Sequence, residues 1–227
     1  MVMQSIFYPA VTHCRTSDDY HGYTYKTYDV PGFTQASLIA HSLGLRPFKD
    51  VFKSSKIPYY KYRGDRMPEL ECLLASLSTG PVTPGDRIGK MDAALINRSC
   101  RPDGKLLKPT IPLLATDLVF IKNATYYLCS SESIFITTPK ERTVTWYYTL
   151  TINLFPDRIS CNYYFTRDFN LNLNHDYIEF DWHTHEFRKI KNDAKIIQNL
   201  DFEEYKYRIY CPLFPNKIAI IGNPSKF

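Results

Sequence analysis

The first side chains able to do chemistry together are Arg15, Ser17, Asp18 and Asp19, in the run RTSDD. A carboxylate pair beside a guanidinium can hold one acid ionised and shift the other, which general acid/base work requires. Ser-Asp-Asp is also a good helix start or turn, so residue types alone leave both readings open. Further along, Lys49 and Asp50 end a short apolar run, and Asp86 follows a turn built from Gly80, Pro81, Pro84 and Gly85. Neighbouring residues in a strand face opposite ways, so Lys49 and Asp50 need not pair with each other. The glycines permit a bend or a close approach of backbone to a ligand. They are not a phosphate loop, because neither GxGxxG nor GxxxxGK[ST] occurs.

Two other clusters have blander readings. Asp181, His183 and His185 form DWHTH, and His-x-His on a strand would put both imidazoles on one face. No third and fourth ligands stand nearby, so a hairpin turn is expected there, as is a solvated turn at Glu203 and Glu204. The six cysteines are scattered and never form CxxC, which argues against a zinc site or a disulfide scaffold. No metal and no cofactor is expected.

Elements that could position these groups follow from pattern. The run through Cys14 reads as a strand that delivers RTSDD at its C-terminal end. Residues 34 to 44 fit a helix that Thr34 could cap and Gly44 could end, with His41 a packing or surface residue. Residues 45–52 read as a strand, and Pro68 opens a second helix with acids in its first turn. Asp92 starts a short helix, and Asp103-Gly104 marks a tight turn. Beyond Thr116 the pattern becomes period-two, from LVFI at 118–121 to KIAIIG at 217–222, as an antiparallel β-domain needs. The division is therefore an α/β part over 1–115 and an all-β part over 116–227.

Composition narrows the function classes. The 227 residues include 18 Tyr and 14 Phe, a bias that suits strands and, less specifically, sugar-binding surfaces. A net charge of +5, with no basic run, gives no sign of nucleic-acid binding. No stretch approaches the roughly twenty apolar residues of a membrane span, and the N-terminus lacks a charged region followed by an apolar core. A soluble chain of undetermined compartment is expected. The sequons at Asn97 and Asn123 matter only on a secretory route.

Five segments carry a family resemblance: VTHCRTSDDY at 11–20, FKDVFKS at 48–54, STGPVTPGDRIG at 78–89, RPDGKLLKP at 101–109 and ATD at 115–117. In this order they resemble the raffinose synthase and alkaline α-galactosidase group of glycoside hydrolases, in particular its animal-type relatives. The resemblance implies strands six to eight of a (β/α)8 TIM barrel followed by an antiparallel β-sandwich. It also implies retaining hydrolysis or transfer of α-galactosides by two carboxylates. The family's Arg-x-x-x-Asp arrangement falls on Arg15 and Asp19, making Asp19 the acid/base, with Asp18 the alternative. Arg15, Lys49, Asp50 and Asp86 carry over as substrate-facing or loop-fixing residues.

The departures qualify this. The family's nucleophile lies on its fourth strand, and this chain reads from about the sixth, so the missing barrel half is expected upstream in a full-length chain. Lys53 stands where relatives often carry a large aromatic. The chain alone is expected to be inactive, and a catalytically dead carbohydrate-binding or scaffolding relative is the alternative.

Overall fold

The computed structural model describes residues 8–19, 30–55, 67–125, 133–137, 140–141, 144–153, 156–168, 176–191 and 194–222. The chain divides into two compact units, Met1–Leu113 and Leu114–Phe227.

In the first unit, strand β1 (His13–Arg15) is followed by helix α1 (Val30–Ser42) and strand β2 (Arg46–Phe48). The two strands pair in parallel, with Arg15 opposite Phe48. α1 begins at Val30, so Thr34 is a buried interior residue and not its cap. The helix ends as its sequence dictates: Gly44 takes φ +77°, and the Gly44 and Leu45 amides donate back to the carbonyls of His41 and Ala40.

Helix α2 (Pro68–Leu77) then returns the chain to a third parallel stretch. There the Gly80 amide donates to the Pro47 carbonyl at 2.8 Å, and Phe52 and Pro84 form a parallel bridge. The order strand, helix, strand, helix, extended segment is that of successive β/α units. Among the described residues these stretches do not close into a barrel.

Gly80 sets the spacing of the last two stretches. A Cβ there would lie 2.6 Å from the Phe48 Cβ and 2.9 Å from the Pro47 carbonyl oxygen, neither of which can swing away. Gly80→Ala is therefore expected to destabilise the first unit by about 1–3 kcal/mol, read as a lower urea midpoint.

Phe52, Cys72, Ala75 and Leu95 form the apolar core between these stretches, α2 and helix α3 (Ala93–Asn97). Asp92 caps α3 by accepting from the Leu95 amide at 3.0 Å. The turn at Asp103-Gly104 also forms, with Gly104 at φ +82° and the Arg101 amide bonded to the Lys105 carbonyl.

α2 has no basic residue in its last turn. Lys108 reaches that end from a distance: its buried Nζ donates to the Ala75 carbonyl and to Ser78 Oγ. Burial lowers the Lys108 pKa to about 7. The unfolded chain titrates near 10.4, so above pH 7 it binds the proton that the folded chain has released, and stability rises with pH. Between pH 7 and 8.5 the wild type should gain about 1–2 kcal/mol over Lys108→Met in urea unfolding. A gap that narrows with pH would contradict this placement.

The second unit is built on antiparallel pairing. Its strands are β3 (Leu114–Ala115), β4 (Ser133–Thr137), β5 (Lys140–Glu141), β6 (Val144–Thr145), β7 (Tyr147–Ile152), β8 (Ile159–Tyr164), β9 (Tyr177–Asp181), β10 (Phe187–Ile190), β11 (Lys195–Leu200) and β12 (Tyr205–Pro212). Six form one sheet in the order β10-β9-β12-β7-β4-β3, and β11 pairs with β8 in another. Tyr147, Tyr163, Tyr177, Ile190, Ile196 and Tyr210 draw both sheets into one core. Phe165 opens the short helix α5 (Phe165–Asp168) and packs against Tyr210 with ring centroids 4.4 Å apart, so the aromatic residues of this unit contribute to its core.

Two segments depart from the period-two reading. LVFI lies in helix α4 (Asp117–Thr125), not in a strand. Four apolar residues fit either element, and Asp117 in the first turn together with amide bonds from Val119 and Phe120 to the Thr116 carbonyl favours the helix. KIAIIG makes only an isolated bridge, Leu213 to Ala219. The expected strand at 125–129 falls mostly outside the described residues.

Candidate active site

The structure brings Arg15, Asp19 and Asp50 together at the C-terminal ends of β1 and β2. Arg15 Nη2 lies 2.7 Å from Asp19 Oδ1, and Nη1 lies 3.3 Å from Asp50 Oδ2. One guanidinium thus grips two carboxylates from separate strands. The Asp19 hydrogen bond, opposed by a burial cost and reinforced by the Asp50 charge, raises the Arg15 pKa. Asp19 is 70% exposed and Asp50 only 19%, so Asp19 is the carboxylate offered to solvent and Asp50 lies against the fold.

Local hydrogen bonds fix this arrangement. The Thr16 amide continues the strand pairing by donating to the Phe48 carbonyl at 3.0 Å. Ser17 Oγ accepts from the Asp50 amide at 2.7 Å, and the Thr16 hydroxyl meets that of buried Ser37 on α1 at 3.0 Å. RTSDD is therefore strapped to β2 and α1 by the small hydroxyl residues between its charges. Asp18 is exposed and lies outside the Arg15 pair.

Lys49 and Asp50 do face opposite ways. Asp50 turns to Arg15, and Lys49 forms a buried ion pair with Glu71 in the first turn of α2. The sequence reading did not select Glu71. Its only local signal is an acid at a helix N-terminus, whereas its contact with Lys49 spans 22 residues.

Asp86 stands apart from the Arg15 cluster. Its carboxylate accepts the Ser54 amide at 3.0 and 3.1 Å and the Ser54 hydroxyl at 2.8 Å. Ser54 Oγ in turn accepts the Asp92 amide at 2.8 Å. This chain ties the loop after the third parallel stretch to the segment after β2 and to the start of α3. Of the two roles expected for Asp86, these contacts supply the loop-fixing one.

His183 and His185 of the second unit sit in a hairpin turn. Asp181 Oδ1 accepts the His183 and Thr184 amides, His185 takes φ +59°, and its ring stacks on Phe180 at 6.0 Å. Among the described residues no cluster of His, Cys, Asp and Glu suits a metal ion, and no helix is long and apolar enough to cross a membrane.

No family model and no curated protein matches the sequence. Solved structures do match. α-Galactosidase I from Mortierella vinacea superposes with a TM-score of 0.51 at 7% identity, over 86% of this chain and 52% of that one. The α-galactosidase of Saccharomyces cerevisiae gives 0.52 at 9% identity, over 87% of this chain and 59% of its own. The chain thus spans little more than half the length of these two structures. What the likeness shows is the fold: two units whose backbone follows that of α-galactosidases.

Proposed function

We propose that this chain is the C-terminal portion of a protein that processes α-galactosides of the raffinose type by a retaining mechanism, with Asp19 as its acid/base. The observation that carries the proposal is the Arg15–Asp19–Asp50 cluster at the C-terminal ends of parallel strands, on an α-galactosidase-like fold. That end of a β/α array is where active sites of such barrels lie. Arg15 fixes Asp19 from the preceding strand, leaving its carboxylate exposed for proton transfer to and from a glycosidic oxygen. Asp50 holds Arg15 from the other side, and Asp86 keeps the neighbouring loop in place.

The nucleophile comes from a barrel portion supplied upstream. Among the described residues β1 has one neighbour, β2, so its other edge is the place for a further parallel strand. A retaining mechanism needs a second carboxylate about 5–5.5 Å from the first, which that portion would deliver.

The test is hydrolysis by the full-length protein. Asp19→Asn should slow raffinose turnover by roughly 100-fold or more. An aryl α-galactoside with a good leaving group should suffer less in the first step, because its departure needs little protonation. Equal rates for wild type and Asp19→Asn on raffinose would remove Asp19 from the mechanism. Galactoside binding with no turnover by the wild type would leave a carbohydrate-binding relative.

A further inference from the structure

The interior of the second unit carries more polarity than its own hydrogen bonds satisfy. Arg208 on β12, its side chain 13% exposed, stands opposite buried Thr149 on β7. Gln198 on β11, 3% exposed, donates through Nε2 to the Tyr163 hydroxyl at 2.8 Å, and that hydroxyl meets Tyr210 Oη at 3.1 Å. Arg208 also acts electrostatically on the Tyr163 hydroxyl, which joins Arg208, Gln198, Tyr163 and Tyr210 in one cluster between the two sheets, with Thr149 opposite Arg208 in the register. Yet among the described residues Arg208 Nη1, Gln198 Oε1 and Thr149 Oγ1 have no hydrogen-bond partner, and neither does Thr151 Oγ1, two residues along β7.

Three such atoms in one buried cluster call for a ligand. A buried polar group without a partner costs about 1–3 kcal/mol, and native interiors hold few of them. The chemistry of the atoms selects which ligand. Arg208 Nη1 only donates, Gln198 Oε1 only accepts, and a threonine hydroxyl does either. An anion would be repelled by the Gln198 carbonyl oxygen, and a metal cation by the guanidinium. Charge is already balanced, since Arg208 and Arg188 face Glu179 and Asp181. A neutral molecule that donates and accepts at once is required, small enough for a core otherwise filled by tyrosine and phenylalanine.

We propose that the second unit holds an internal water site, in which bound water accepts from Arg208 Nη1 and bridges to Gln198 Oε1 and Thr149 Oγ1. Such water is a structural component with about three protein partners, not a transient visitor. It lets a charged strand cross the core of an otherwise aromatic domain. The inference is independent of the glycosidase reading, because it uses no residue of the Arg15 cluster.

Two measurements on the whole chain test it together. A crystal structure should show an ordered water within hydrogen-bond reach of Arg208 Nη1 and at least one of the other two atoms. Thr149→Val keeps the side-chain shape and removes one water partner, so the unfolding midpoint of this unit should fall by about 4–6 °C. A bromide soak that places anomalous signal at the site would replace water by an anion and overturn the proposal. So would a dry interior, or a Thr149→Val midpoint equal to or above wild type.

Discussion

Replacing Arg208 by methionine should unfold the second unit more readily by about 3–5 kcal/mol, the usual cost of breaking a buried ion pair from one side. The side chain of Arg208 is 13% exposed and lies 3.6 Å from Glu179 and 3.3 Å from Asp181, which are 4% and 13% exposed. Burial alone would lower its pKa, but the carboxylates outweigh it and raise the pKa, so the guanidinium is charged at any working pH. Methionine fills much of the same volume but leaves Glu179 with Arg188 alone and Asp181 with backbone donors. Burial works against the Asp181 carboxylate, while the Thr184 and His183 amides and Arg208 together hold its pKa below the ordinary value. Because Arg208 helps hold the Asp181 pKa down, that part of the loss should be full at pH 7 and shrink toward pH 3, as the pH falls through the Asp181 titration. Urea unfolding of the variant at both values checks this, and a pH-independent loss would point to packing.

Asp86→Ala should cost the first unit about 2–4 kcal/mol, because it removes the acceptor of charge-assisted hydrogen bonds from the Ser54 amide and hydroxyl. Ser54 is 1% exposed, so water cannot readily take over its donors. Asp86→Asn keeps one acceptor oxygen and should recover part of the loss. This pair separates the two roles the sequence left open for Asp86. A residue present to bind sugar is usually neutral or costly to stability, so an unchanged or raised urea midpoint in Asp86→Ala would return it to a substrate-facing role.

What was legible in the sequence is what local chemistry determines. Gly44, Pro68, Asp92 and Asp103-Gly104 mark element ends through φ preference, a missing donor or a side-chain cap, and each does so in the structure. The period-two runs of β4, β7, β8, β9 and β12 were readable from local alternation too, whereas β11 was not picked out. The short run LVFI was not, since four residues do not distinguish the two periods.

At the site, Arg15 and Asp19 are four residues apart, so their pairing was available to a motif. The partners of the other charges were not. Glu71, Ser54 and Lys108 meet Lys49, Asp86 and Ala75 across 22, 32 and 33 residues, and nothing in their own neighbourhoods announces those contacts. A charge in a sequence shows its sign, whereas its partner depends on the folded path.

One strand of the larger sheet has a consequence for the protein in a crowd. Among the described residues β10 lies at the end of the sheet with β9 on one side only, which leaves a row of amides and carbonyls that another chain could adopt. Phe187, 65% exposed, makes that border adhesive. Arg188 and Lys189 follow it directly, the one bound to Glu179 and the other to Asp176. A strand approaching this border would have to bury two cations or pull them from their acids. The pair thus guards the molecule against stacking with its own copies.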